Sequence, residues 1–155
     1  MSIQITDIKY RKDSELGYEV FSGDVVVARL TQENYYYCCE SYGCNIYNGD
    51  DKLHSGGNGR SIPEQINTKS VIYKPIDSPG VDSYIGATVK SVHWHRGRAK
   101  WSTRNDIDDK YDDAILNIDT DRGTLQLVVW TRHNGYYSHK YTAYFDGKEQ
   151  EVYER

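Results

Sequence analysis

Short segments in which branched or aromatic residues alternate with polar ones constrain this chain most strongly, because a period of two belongs to half-buried β-strands. Val, Ile, Thr and 15 tyrosines supply these segments, and such side chains fit the pleated surface of a sheet. Turn residues separate one segment from the next, which is typical of antiparallel strands. The segments are SIQITDIKY, GYEVFSGDVVVARLT, GCNIYNG, TVKSVHWH, AILNIDT, TLQLVVWT and YYSHKYTAYF.

Two turn sequences predict hairpins. The stretch FSGDV indicates a tight turn between strands at Tyr18–Phe21 and Val25–Leu30. The dipeptide Asn134-Gly135 is preferred in type I′ turns, since both central residues take a positive φ there. It predicts strands at about Thr124–Arg132 and Tyr136–Phe145.

One short helix is predicted in the stretch SIPEQINT. Ser61 and Glu64 have the spacing of a capping box, and Pro63 lies in the first turn, where its missing N–H costs nothing. With no repeat and no long linker, the 155 residues indicate a single domain, 1–155, with a charged insert at 90–112. The fold class we predict is α+β, predominantly antiparallel β and sandwich-like, with this one helix.

Charge and cysteine content narrow the cellular setting. The net charge of −4 gives no evidence for a nucleic-acid partner, and no apolar run approaches the length of a membrane helix. Three cysteines are an odd number, which argues against a secreted disulfide framework. We therefore expect a cytoplasmic protein with reduced thiols and no membrane partner.

The stretch NYYYCCESYGC holds all three cysteines. Adjacent Cys38 and Cys39 would point to opposite faces of a strand, and their spacing from Cys44 is unlike that of zinc knuckles. We interpret this stretch as core and pocket wall, and expect neither metal nor cofactor.

A basic segment with interleaved aromatics, KSVHWHRGRAKWSTR, is the candidate binding element. Cations can hold phosphates while aromatic rings stack on bases. The alternative is a hairpin turning at Arg96-Gly97, with solvated cations and tryptophans in the core. The residues predicted to bind a ligand are His93, Trp94, His95, Arg96, Arg98, Lys100 and Trp101.

Seven aspartates follow between Asp106 and Asp121. The stretch lacks the glycine and glutamate of a common calcium loop. Two interpretations remain open: a solvated loop that balances the basic segment, or an acidic surface for a basic partner.

Two motifs together resemble a family of small proteins found largely in tailed bacteriophages, with no established activity. One is Cys-Cys-Glu after an early hairpin, and the other is Trp-x-x-x-Asn-Gly-Tyr-Tyr-Ser near the C-terminus. The resemblance spans roughly residues 1–145 and implies a phage origin and a role in the cytoplasm of the infected bacterial host. The residues that carry it are Cys38, Cys39, Glu40, Trp130, Asn134, Gly135, Tyr136, Tyr137 and Ser138.

The predicted function is a non-enzymatic, phage-encoded binding protein that inhibits a host defence protein or sequesters a nucleotide signal. Tyr and Trp anchor interfaces at low entropic cost, so a homo-oligomer is also possible. One alternative is a metal-dependent nuclease or phosphodiesterase that uses His93, His95 and aspartates of 106–113. Another is an accessory domain of a phage assembly.

Overall fold

The computed structural model describes residues 2–34, 41–48, 73–74, 80–100, 110–133 and 139–154. These residues form eleven strands and one short 3-10 helix. The strands are β1 Ile3–Gln4, β2 Asp7–Lys12, β3 Glu15–Ser22, β4 Val25–Glu33, β5 Ser41–Asn48, β6 Tyr73–Lys74, β7 Thr88–Lys100, β8 Lys110–Thr120, β9 Gly123–His133, β10 His139–Phe145 and β11 Lys148–Glu154.

The strands form two antiparallel sheets that pack against each other. The first sheet has the order β1-β7-β8-β9-β5, and the second has the order β11-β10-β4-β3-β2-β6. Strands β3, β4 and β10 of the second sheet contact β5, β7, β8 and β9 of the first. The predicted antiparallel, sandwich-like architecture is therefore confirmed.

The helical part of the fold-class prediction was too generous. Within the described ranges the helical structure is the four-residue 3-10 segment Val81–Tyr84, so the described architecture is mostly antiparallel β and the α+β label with one helix was slightly off. The helix predicted from Ser61 to Thr68 lies outside the described residues. No helix in the described part of the chain is long and apolar enough to cross a membrane.

Turn chemistry sets the hairpins of the second sheet. The predicted FSGDV hairpin is confirmed: β3 and β4 are joined through Gly23, whose φ of 62° favours glycine. Between β10 and β11, Asp146 and Gly147 have φ values of 52° and 74°, as a two-residue type I′ connection requires. Strands β9 and β10 lie where two strands were predicted, but the predicted hairpin between them was wrong. Strand β9 pairs with β8 and β5 of the first sheet, whereas β10 pairs with β4 and β11 of the second, because partners elsewhere in the chain outcompete the sequence neighbour. Asn134-Gly135 lies outside the described residues.

The space between the sheets is apolar toward one end. Alternate residues of each strand point inward there and are completely buried. Ile118 and Leu125 of the first sheet are buried with Val20 and Ala28 of the second in one hydrophobic cluster. Burial of this apolar surface is the main force that holds the two sheets together.

Toward the other end, the space between the sheets contains hydrogen-bonded polar groups. Gln32 of β4 donates to the Gly43 and Trp130 carbonyl oxygens of the first sheet, at 2.6 and 3.1 Å. Its Oε1 accepts from the Thr131 hydroxyl at 3.1 Å, and the Tyr141 hydroxyl donates to Thr131 Oγ1 at 3.0 Å. We call this chain of contacts the inter-sheet network.

The outer face of the second sheet is charged. The Arg11 guanidinium contacts Asp13 at 3.0 Å, Glu15 at 3.1 Å and Glu19 at 3.5 Å. Arg29 approaches Glu19 from the next strand at 3.8 Å. The Asp13 and Glu19 side chains are only 3% and 5% exposed and that of Arg11 is 13% exposed, so these charges form a largely buried cluster in which each one needs its partners.

Candidate functional site

Strand β7 contains six of the seven residues predicted to bind a ligand. Strand β1 pairs with it only at Thr88 and Val89. Within the described ranges, residues 91–100 therefore have a strand neighbour, β8, on one side only. Among the described strands β7 is an edge strand over most of its length, and its backbone N–H and C=O groups on the side without a described neighbour can meet another molecule.

The register of β7 divides the predicted residues between two faces of the first sheet. His93 lies opposite Asn117, on the face that points away from the second sheet, and His95 pairs with Ile115 further along the ladder. We call this the outer face of the first sheet. Trp94 lies opposite Leu116, whose side chain belongs to the core between the sheets.

The alternative hairpin turn at Arg96-Gly97 was wrong. Strand β7 continues through both residues, which pair with Ala114 and Asp113 of β8. Arg98 and Lys100 continue the same ladder opposite Asp112 and Lys110. A glycine between two arginines looks like a turn locally, but it is equally compatible with a strand position.

His93 belongs to a polar cluster on the outer face. Its side chain is 58% exposed, and its Nδ1 lies 3.8 Å from Asp119 Oδ2. Asp119 also accepts hydrogen bonds from Thr124 at 2.7 Å and Ser91 at 3.0 Å. The Thr124 hydrogen bond is the largest influence that lowers the pKa of Asp119, with smaller help from Ser91, His93 and Lys90 against the opposing effect of burial. The carboxylate is therefore ionised and held in a defined orientation.

Trp94 is committed to a contact between the sheets. It packs against the hydrophobic core, and its indole N–H donates to Gln150 Oε1 of β11 at 2.9 Å. The indole thus ties the edge of the first sheet to the edge of the second. Trp101, the other tryptophan predicted to bind a ligand, lies outside the described residues.

Of the motif residues that suggested the phage family, some lie inside and some outside the described part of the chain. Trp130 is described: it is only 2% exposed, and its ring lies over Gly43, where an added Cβ would come within 2.7 Å of the indole. The others fall outside the described residues: Cys38, Cys39, Glu40, Asn134, Gly135, Tyr136, Tyr137 and Ser138.

The strand ends nevertheless relate the two motifs. Ser41, at the start of β5, pairs with Arg132 near the end of β9. The connections 34–41 and 133–139 therefore meet the sandwich at the same end. The connection 100–110 meets it there as well, because Lys100 pairs with Lys110 and Lys110 pairs with His133.

The interpretation of the aspartates as one solvated loop was wrong for two of them. Asp112 and Asp113 belong to β8 and are 1% and 0% exposed. They point to opposite faces of the first sheet, as consecutive strand residues must. Asp119 and Asp121 lie at the far end of β8 and beyond it. Local charge density predicted exposure, but the pairing of β8 between two strands buries the pair.

Cys44 is a buried-type thiol rather than a nucleophile. It is a free cysteine in β5, partly buried against the core. Burial raises its pKa to about 12, although hydrogen bonds with Tyr18 and Tyr10 and the charge of Lys12 oppose that rise. A thiol with this pKa stays protonated at neutral pH, so it is a poor nucleophile and a poor metal ligand.

Sequence patterns missed two asparagines on the outer face of the first sheet. Asn117 is 8% exposed, and its Oδ1 is buried without a hydrogen-bond donor in the described part of the chain. The Oδ1 of Asn45 in β5 has the same property. Neither residue belongs to a motif, and only burial combined with register identifies them.

Metal ligation and similarity to known proteins complete the description. No group of three or more His, Cys, Asp or Glu side chains among the described residues could hold a metal ion. No protein-family model matches the chain, and searches of curated proteins and solved structures also give no match.

Proposed function

We propose that this chain is a non-enzymatic binding protein whose recognition element is the edge strand β7. On the resemblance of its two motifs to phage proteins, the proposed setting is the cytoplasm of an infected bacterium. The proposed target carries negative charge: an acidic surface of a host defence protein, or the phosphates of a small nucleotide.

The observation that carries this proposal is the edge position of β7. On the side where no described strand pairs with it, β7 can offer backbone donors over residues 91–100, and the same ten residues include Arg96, Arg98 and Lys100 at alternate positions. Alternate strand positions share one face, so positions 96, 98 and 100 follow one another on the face of β7 to which position 94 also belongs. Charge-assisted hydrogen bonds from such a line to phosphate or carboxylate are stronger than neutral ones.

The net charge of the chain bears on where an anionic ligand would bind. The chain as a whole carries −4, so a general attraction to polyanions is not expected. A polyanion should therefore bind through β7 or not at all.

The experiment compares the wild type with Arg96→Ala/Arg98→Ala/Lys100→Ala. The matched control, Lys9→Ala/Lys140→Ala/Lys148→Ala, removes the same charge from strands of the second sheet. Isothermal titration with cyclic mono- and dinucleotides tests the nucleotide, and affinity capture from bacterial extract followed by mass spectrometry tests the protein target.

We expect the β7 variant to bind the ligand with an affinity lower by about tenfold or more. A tenfold change in the dissociation constant corresponds to about 1.4 kcal/mol of binding free energy. The control should bind as the wild type does. Equal losses in both variants would contradict the proposal. Turnover of any nucleotide would favour the nuclease or phosphodiesterase alternative.

A further inference from the structure

Strands β7 and β11 form the edges of the two sheets on one side of the sandwich. Strand β11 is the outermost described strand of the second sheet, and β7 has no described neighbour on its open side beyond Val89. The Trp94 indole joins the two strands, since its N–H donates to Gln150 Oε1 at 2.9 Å. His93 of β7 and Glu149 of β11 are exposed. Another molecule can therefore reach both edges together.

The two edge strands carry opposite charge. Strand β7 contains Lys90, Arg96, Arg98 and Lys100 and no carboxylate, so its charge is +4 with neutral histidines. Strand β11 contains three glutamates and one lysine, so its charge is −2. Opposite charges stabilise neighbouring strands, whereas like charges destabilise them. Each of these strands therefore fits the other as a partner better than it fits a copy of itself.

A second copy of this chain can bring the unlike edges together. Two kinds of two-fold axis would place this side of one copy against the same side of another. An axis perpendicular to the sheets would pair β7 with β7 and β11 with β11, so that charges of +4 would meet. An axis parallel to the strands would pair β7 of each copy with β11 of the other. The charges of both strands favour the second arrangement.

Strand direction is compatible with that arrangement. The connections 100–110 and 133–139 meet the sandwich at one end, which is therefore the end of β7 and the beginning of β10. Strand β11 ends there as well, because Glu154 pairs with His139. Rotation about an axis parallel to the strands keeps this common direction. The two new ladders would be parallel, with evenly spaced, slanted hydrogen bonds.

The level of the two strands also fits. The same rotation keeps each residue at its level along the strands, so Gln150 of the second copy would lie level with Trp94, as Gln150 of the same copy does. Counted from there, Lys148–Glu154 of the second copy would run beside residues 92–98 of β7. This stretch is clear of β1, which pairs with β7 at Thr88 and Val89.

We propose that two copies of this chain form a dimer in which β7 of each copy pairs with β11 of the other. The first sheet of each copy then continues into the second sheet of its partner. This inference goes beyond the function proposed for β7. Because the dimer covers the open side of β7, an acidic target and a second copy would compete for that strand.

The experiment measures the mass of the full chain by light scattering after size-exclusion chromatography, with no nucleotide or host protein present. One variant, Arg96→Glu/Arg98→Glu/Lys100→Glu, changes the charge of β7 from +4 to −2. The other, Glu149→Lys/Glu151→Lys, changes the charge of β11 from −2 to +2. The control Asp24→Lys/Asp82→Lys makes the same charge change as the β11 variant at exposed positions outside both strands. Circular dichroism shows which variants are folded.

We expect the wild type and the control to have twice the mass of one chain. Each charge-reversal variant alone should be monomeric, because its β7 and β11 carry charge of the same sign. An equal mixture of the two variants should be dimeric again, since β7 of each then meets a β11 of opposite sign. Pairing of like strands predicts instead that each variant dimerises at least as well as the wild type.

Three results would overturn the proposal: a wild type that stays monomeric at millimolar concentration, a folded charge-reversal variant that dimerises as the wild type does, or a mixture that stays monomeric. If one variant does not fold, the other decides. Because the measurement uses no ligand, its outcome is independent of whether β7 binds an acidic target.

Discussion

Replacing Gln32 with leucine should weaken the sandwich severely although the two side chains are similar in size. Gln32 is 2% exposed and makes three hydrogen bonds of the inter-sheet network: two from its Nε2 and one to its Oε1. At about 1 kcal/mol each, these bonds contribute about 3 kcal/mol. The Thr131 hydroxyl, itself 0% exposed, would lose its acceptor at a further cost of about 1–2 kcal/mol. The expected loss is therefore about 4–5 kcal/mol.

Urea unfolding followed by circular dichroism measures this loss. A domain of this size is stable by about 5–15 kcal/mol, so the midpoint should fall sharply while the slope with denaturant stays unchanged. The double variant Gln32→Leu/Thr131→Val completes the test. Because it removes both partners, it should be less destabilised than the sum of the two single variants. A loss below about 1 kcal/mol for Gln32→Leu, or strict additivity in the cycle, would refute the assignment of the network as an inter-sheet tie.

Two further predictions concern β5. Gly43→Ala should destabilise the fold by about 1–3 kcal/mol, because the new Cβ would meet the Trp130 indole at 2.7 Å. Thermal unfolding followed by indole fluorescence measures this loss of stability. An unchanged melting temperature would contradict the close packing of Trp130 on Gly43. Cys44 should be alkylated about a thousandfold more slowly in the folded chain than in urea at about pH 8.5, because its pKa rises from 9.0 to about 12 on folding. Since the unfolded thiol ionises first, this contribution to stability is present below about pH 9 and is lost as the pH rises toward 12. Peptide mass spectrometry resolves Cys44 from the other cysteines, and equal rates in both states would contradict its burial.

Alternation and turn chemistry were sufficient to predict most strands. FSGDV contains both the strand ends and the glycine that the turn needs, so the β3–β4 hairpin is encoded within a few residues. Strands β9 and β10 were similarly visible, because their inward positions are apolar at every second residue over the core half.

The errors came from features that depend on distant parts of the chain. Whether the chain turns at Gly97 or continues as a strand depends on its pairing with β8, which begins at residue 110. Whether Asp112 and Asp113 are exposed to solvent depends on the neighbouring strands β7 and β9. Local composition contains no such information, so a dense run of charge was interpreted as solvated.

The polar cluster of His93, Ser91, Asp119 and Thr124 was beyond sequence reasoning for a related reason. His93 was singled out beside the arginines, yet the register places it with Asn117, Asp119 and Gln126 from two other strands. A period of two shows which residues share a face of one strand, but not which neighbours lie opposite. The candidate site therefore required both the strand order and the pairing.

The shared location of three connections has a consequence for how such a chain can diversify. Three connections join strands at one end of the sandwich: 34–41, 100–110 and 133–139. This is the end where the space between the sheets contains the inter-sheet network and is polar rather than apolar. Insertions or exchanges there would change the chain at that end of the sandwich while the ladders remain in register. A lineage under pressure to follow a changing partner could thus vary that end and leave the apolar half untouched.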